Sequence, residues 1–241
     1  MKKIFYVLYS LVCYLIFLGA ILYLIGFVGN LFVPKSIDTG EVISVGIAIL
    51  IDIGLMSLFS IQHSVMAREP FKKKWINIIP KPIERSTYVL LASIAIILLF
   101  LFWKPIPNIV WNYSESITGY VLMSTSFLGW GILFLSTFLI NHFHLFGLHQ
   151  VYQHVAGKPE KFFPFSVPFL YRMVRHPLYL GFIIAFWATP LMTVGHLLFS
   201  TIMTLYIFIG IYHEEKDLIK MYGNDYLQYR KKTPKIVPFS K

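Results

Sequence analysis

Arg175-His176-Pro177 and Glu214-Glu215 bracket a long apolar run over 178–212, interrupted only by Thr189-Pro190 and Gly195-His196. An arginine presents a planar fork of donors suited to a carboxylate. A histidine can donate, accept or pass on a proton near neutral pH. Pro177 is tolerated where a helix begins. Neighbours on a helix point about 100° apart, so one of Glu214 and Glu215 can face a pocket while the other meets Arg175 or solvent. Each piece also has a plainer reading: Arg175 and His176 as anchors to lipid headgroups, the glutamates as a charged stop after a membrane helix. Geometry would make them one site. A single helix over 178–212 would be about 52 Å long, against a hydrocarbon core of about 30 Å. Pro190 removes a backbone donor and Gly195 loosens the chain. The expectation is therefore a helical hairpin that turns near residues 190–195 and brings Glu214-Glu215 back to Arg175-His176.

Other polar residues stand out against the apolar background. His142, His144, His149 and His154 crowd one stretch, with His63 elsewhere. Two are two apart and two are five apart, whereas helical metal ligands recur at three or four, so no metal site is expected. Asp52 lies near the middle of an apolar segment, where a carboxylate is either functional or hydrogen-bonded between helices. Tyr222, Tyr226 and Tyr229 have the spacing of one helix face, for packing or for a ligand. Cys13, the only cysteine, reads as packing.

The elements that must position these groups follow from composition. Of the 241 residues 57% are hydrophobic and 13% charged, where a soluble domain has about 25% charged. The chain reads as all-α, a polytopic integral membrane helical bundle. Apolar runs predict four full spans at 1–28, 42–66, 86–103 and 117–140, then the C-terminal membrane hairpin, giving five or six membrane helices. Loops are expected at 30–40, 68–85, 104–116 and 141–174, the last with short helices, and a polar tail over 213–241. The first span lacks a small-residue cleavage site and reads as retained. Placing the N-terminus, 68–85, 141–177 and the tail on one side gathers 19 of the 21 Lys and Arg there. That side is cytoplasmic by the positive-inside rule, both termini included, and the net charge of +10 reports topology and not nucleic acid.

The pattern Arg175-His176-Pro177, Tyr179, Gly181, Glu214-Glu215, Tyr222-Gly223 and Tyr226 resembles the cofactor-binding half of the isoprenylcysteine carboxyl methyltransferases, membrane enzymes that use S-adenosylmethionine. A smaller related family, the methanethiol S-methyltransferases, is similar over most of the chain: Gln62 through Arg68, Glu84 through Val89, Asn141-His142-Phe143, Leu145 through Leu148 and Val174 through Phe182. His144 and His149 depart from that pattern, which carries an acid and an arginine there. The resemblance implies a single methyltransferase domain over 1–241, with a four-span part at 1–140 and a cofactor-binding half at 141–241. It implies methylation of a small thiol, methanethiol to dimethyl sulfide, in a bacterial plasma membrane. Related readings are another acceptor, such as an isoprenylcysteine carboxylate, or a non-catalytic scaffold of the same fold. It implies that Arg175 and His176, preceding Pro177, hold the cofactor's carboxylate, and that Glu214 or Glu215 holds its ribose diol. Tyr179, Tyr226 or Tyr229 would bound its adenine or face its sulfonium, and Gly181 would admit it closely. A thiol must ionise to attack, and His142, His63 or Tyr179 are the candidate groups to help it.

Overall fold

A computed structural model describes residues 1–159, 163–238 and 240. Parts of the expected 141–174 loop and of the tail, residues 160–162, 239 and 241, lie outside the described residues. The chain is an all-α integral membrane protein with five helices long and apolar enough to cross a bilayer. These are α1 (Lys2–Gly29), α2 (Val45–Ala67), the helix that becomes α4, α5 (Ile117–Ile140) and the last long helix, α9 (Val194–Tyr222). The fourth predicted span coincides with α5, and the others agree to within a few residues. The basic 68–85 stretch is not all loop: α3 (Glu69–Trp75) starts it, with a proline in its first turn and Lys72, Lys73 and Lys74 in its last, as the helix dipole favours. A short 3-10 turn then leads into α4 (Glu84–Phe102).

The chain forms two compact units, Met1–Pro107 with Asn141–Lys161, and Asn108–Ile140 with Phe162–Lys241. α5 groups with the C-terminal hairpin in the second unit. In the first unit α4 packs on both α1 and α2. Near the basic loop, Met66, Tyr88 and Val89 form a buried cluster with Phe17, Phe71, Trp75 and Phe146 against it. Two short helices complete this unit, α6 (His142–Leu145) and α7 (Leu148–Val155). Asp52 is fully buried, and one of its oxygens accepts from the Lys104 N–H at 2.9 Å, tying α2 to the chain leaving α4.

In the second unit the expected hairpin is present, but its first arm is only partly helical. That arm begins as α8 (Pro177–Trp187), 11 residues or about 16 Å, roughly half the hydrocarbon core. The connection to α9 is not helical: the chain bends at Pro190, and three residues of strand then lead into α9. An extended backbone away from water needs outside hydrogen-bond partners. They come from the stretch expected as loop: β1 (Ile109–Asn112) pairs antiparallel with β2 (Leu191–Thr193), Trp111 opposite Met192. Ile109-Val110-Trp111 has the β-branched and aromatic character for it. The Tyr113 N–H donates to the Pro190 carbonyl at 2.8 Å and the Trp111 indole to the Thr189 carbonyl at 3.0 Å. The Thr193 hydroxyl accepts from the His196 N–H and caps α9. His196, fully buried, and Ser200 both reach the Phe186 carbonyl at 2.9 Å, near the end of α8 where carbonyls lack helical partners.

α8 lies against α5 through small residues. A Cβ on Gly181 would stand 2.6 Å from the Gly129 carbonyl oxygen, and one on Gly129 would stand 2.7 Å from the Ala185 nitrogen. This is the close approach that small residues allow between membrane helices. Gly181→Ala is expected to lower the melting temperature in detergent, because overpacking of about 1–3 kcal/mol exceeds the gain of up to about 1 kcal/mol from alanine's helix propensity. Gly19→Ala, whose new Cβ would meet nothing within 4 Å, should leave it unchanged or raise it.

Candidate functional site

The hairpin returns Glu214-Glu215 to Arg175-His176, as its length requires. His176 precedes Pro177, the first residue of α8. The N–H groups of Arg175 and His176 donate to the carbonyls of Pro234 and Lys235, so the tail docks here. Arg175 Nε donates to Glu215 Oε1 at 2.8 Å, and Nη2 lies 2.7 Å from the same oxygen. Nη1 donates to the carbonyls of Thr233 at 2.6 Å and Arg230 at 3.2 Å. These close α10 (Asn224–Lys232), whose last carbonyls lack partners within the helix. His176, 3% exposed, brings Nε2 to 3.2 Å from Glu215 Oε1, while its Nδ1 is 3.8 Å from Glu214 Oε2. Most of the Arg175 fork is thus closed on Glu215 and on α10, where the sequence reading had offered it to a ligand carboxylate. The two glutamates divide as neighbours on a helix should: Glu215 is 8% exposed, whereas the Glu214 side chain is 41% exposed.

The three tyrosines of the tail do not share one helix. Gly223 takes a positive φ of 56°, ending α9 after Tyr222 and beginning α10 before Tyr226. They are gathered instead by Phe165, whose ring lies 5.3, 6.0 and 5.5 Å from those of Tyr222, Tyr226 and Tyr229. Tyr229 donates to the Tyr171 carbonyl. Burial raises the pKa of Tyr226 and Tyr229 above the ordinary phenol range, so both stay protonated. The Tyr226 hydroxyl is buried and meets no hydrogen-bond partner among the described residues, which leaves a polar handle for a ligand. Tyr179, on α8, has its ring 5.8 Å from that of His176. Gly181 admits the backbone of α5 closely.

His142 and His63 belong to the first unit. Asn141 caps α6 with its side-chain oxygen on the His144 N–H, fixing the turn that carries His142. His142 is 4% exposed and ringed by Tyr14, Phe143 and Phe146, with ring centroids at 5.8, 5.4 and 4.8 Å. The Tyr14 hydroxyl meets its Nε2 at 2.9 Å. Burial lowers the pKa of His142 below the ordinary imidazole value, which favours the neutral ring. His63 stacks on Phe59 and its Nε2 lies 2.9 Å from the Tyr88 hydroxyl, while the Arg85 guanidinium lies 4.8 Å above the Tyr88 ring. Among the described residues no group of three or more His, Cys, Asp or Glu could hold a metal. Tyr14 and Phe165 were missed from sequence: each is one more aromatic in an aromatic-rich stretch, with no local signal.

A family model described as phospholipid methyltransferase matches residues 157–225. Methanethiol S-methyltransferase 1 of Bradyrhizobium diazoefficiens is 52% identical over 232 residues, covering 96% of this chain and 81% of the relative. Methanethiol S-methyltransferase of Crocosphaera subtropica is 47% identical, covering 99% of this chain and 94% of the relative. That of Mycobacterium tuberculosis is 44% identical, covering 99% and 98%. No solved structure matches the chain.

Proposed function

The chain is a membrane methyltransferase of the methanethiol S-methyltransferase family, and we propose that it methylates methanethiol with S-adenosylmethionine, releasing dimethyl sulfide. The observation that carries the cofactor assignment is the half-exposed Glu214 carboxylate, set beside a buried ionic knot in the same unit as the Phe165–Tyr222–Tyr226–Tyr229 aromatic group. These residues fit an adenosyl sulfonium. Glu214 accepts from a ribose diol, the rings offer π faces to adenine or to a cation, and the Tyr226 hydroxyl offers a hydrogen bond. Arg175 and Glu215, with His176, are the frame that holds Glu214 and α10 in place. Tyr179, beside His176, belongs with them. When bound, the cofactor would supply an electrophilic methyl group on a sulfonium, whose S–CH3 bond breaks as the thiol sulfur is methylated, leaving the demethylated thioether.

The protein's part in the chemistry is to make the thiol a nucleophile. The thiolate attacks, and free thiols ionise only above neutral pH. The neutral, buried His142 is suited to take the S–H proton as the new S–C bond forms. His63 is the second imidazole available in the same unit. The test is purified protein in detergent supplied with S-adenosylmethionine and methanethiol, with dimethyl sulfide measured in the headspace and cofactor affinity by calorimetry. Cofactor binding without dimethyl sulfide would point to another acceptor, such as an isoprenylcysteine carboxylate. No cofactor binding at all would leave a scaffold.

Glu214→Gln is expected to weaken the cofactor roughly 10- to 150-fold, the loss of a hydrogen bond to a charged group worth about 1.5–3 kcal/mol. Calorimetry on the variant checks this, and its melting temperature should not change because Glu214 is half exposed.

The same reading places both termini in the cytoplasm, where the cofactor is made, on the charge distribution alone. Reporter fusions at residues 38, 75, 110 and 235 should read out, in, out and in. An external tail would put Arg175 and Glu214 on the wrong side for a cytosolic donor.

A further inference from the structure

We propose that the first unit holds a binding site for the phosphodiester of an anionic glycerophospholipid, in a cleft beside α7. The cleft has a volume of about 290 Å³ and is lined by Lys81, Pro82, Gln150, Gln153, His154 and Lys158. All six belong to the first unit, and none is a group assigned to the thiol or the cofactor. Two are lysines, and among the described residues no carboxylate lines the cleft.

The chain around the cleft holds its cations in place. The Lys158 N–H donates to the Gln153 carbonyl at 2.9 Å, and the buried Gln153 side chain donates from Nε2 to the Pro159 carbonyl at 3.0 Å, so the turn carrying Lys158 is fixed to the end of α7. The Lys158 ammonium donates to the Tyr152 hydroxyl at 3.2 Å. An ammonium has three donors, so neither lysine has to give up a partner in the protein to reach a phosphate oxygen. The His154 ring can add another N–H.

Depth points to the source of the phosphate. Lys3 donates to the Val155 carbonyl at 3.1 Å, and the Tyr6 ring lies 5.6 Å from that of His154, so α7 ends against the first turns of the α1 span. Lys81 and Pro82 form the short turn that runs directly into the α4 span. The cleft thus lies where two spans begin, at the level of lipid headgroups. Basic pockets between membrane helices at that level suit a headgroup phosphate. A zwitterionic headgroup brings its own ammonium, which no carboxylate in the lining answers, whereas an anionic one brings its phosphate charge uncompensated.

The test is native mass spectrometry of the full chain in detergent, titrated with phosphatidylglycerol, with phosphatidylcholine and with inorganic phosphate. The parent should retain phosphatidylglycerol in preference to phosphatidylcholine, and inorganic phosphate should not displace it. Lys81→Gln combined with Lys158→Gln should weaken phosphatidylglycerol roughly 30-fold, about fivefold for each lysine near an anionic group. Lys73→Gln combined with Lys74→Gln removes the same charge from α3, outside the cleft, and should keep the parental affinity. All four lysines are exposed, so both double variants should melt like the parent before lipid is added. Equal retention of the two lipids, or equal weakening by the two double variants, would reduce the site to general attraction by a basic surface and overturn the proposal. Displacement of phosphatidylglycerol by inorganic phosphate at a similar concentration would make the cleft a free-phosphate site and overturn the lipid assignment. Parental affinity in Lys81→Gln combined with Lys158→Gln overturns it as well.

Discussion

Arg175→Ala is expected to destabilise the protein by about 3–5 kcal/mol, the cost of breaking a buried ion pair from one side. Both side chains are buried, Arg175 at 9% and Glu215 at 11% exposure. Removing the guanidinium strands the Glu215 carboxylate beside His176 and leaves the carbonyls of Arg230 and Thr233 without their donor. Arg175→Lys should recover only part, because an ammonium cannot serve Glu215 and two carbonyls from one planar fork. Arg175→Met combined with Glu215→Gln should recover most of the loss, since replacing both charges removes the uncompensated one. Melting temperatures and denaturant midpoints in detergent measure all three. The pattern separates two roles for the arginine: a variant as stable as the parent that binds the cofactor 10- to 150-fold more weakly, by the arithmetic of a lost charged hydrogen bond of about 1.5–3 kcal/mol, would place Arg175 on the ligand.

His142→Ala should lower turnover by roughly 10²- to 10⁴-fold, the usual contribution of a positioned general base, while cofactor affinity stays at the parental value. The split follows from membership: His142 belongs to the first unit, whereas Glu214, Tyr226 and Tyr229 belong to the second. The pH dependence has a definite sign. Burial lowers the His142 pKa, so kcat should rise with pH along a limb centred below the ordinary value of about 6.5. Turnover still rising through pH 7 with a midpoint above that value would assign the base to another group. His63→Ala, measured in parallel, tests the second imidazole.

The sequence by itself determined the membrane architecture and the ends of the hairpin. A span is a local property, a run of apolar residues of a certain length, and nothing distant has to be known to recognise 117–140. Arg175 and Glu215 were bound to meet for a similar reason, because the mostly apolar 35-residue run over 178–212 between them is too long for one crossing and contains a proline to turn at. What those groups do on meeting was decided only by tertiary structure. Arg175 carries the same fork of donors whether it faces a ligand or Glu215, and only the docking of α10, which presents the Arg230 and Thr233 carbonyls, closes it. Gly181 reads equally as room for a cofactor or for a helix, and only the structure shows Gly129, 52 positions away in the sequence, packed against it. Tyr222, Tyr226 and Tyr229 kept a helical spacing across a glycine that breaks the helix, and Phe165 reunites them from another segment. Tyr14 and His142 are joined by one 2.9 Å hydrogen bond between elements 128 residues apart. Hydrophobic length is summed along the chain, whereas a polar group's role depends on which partner reaches it first in space.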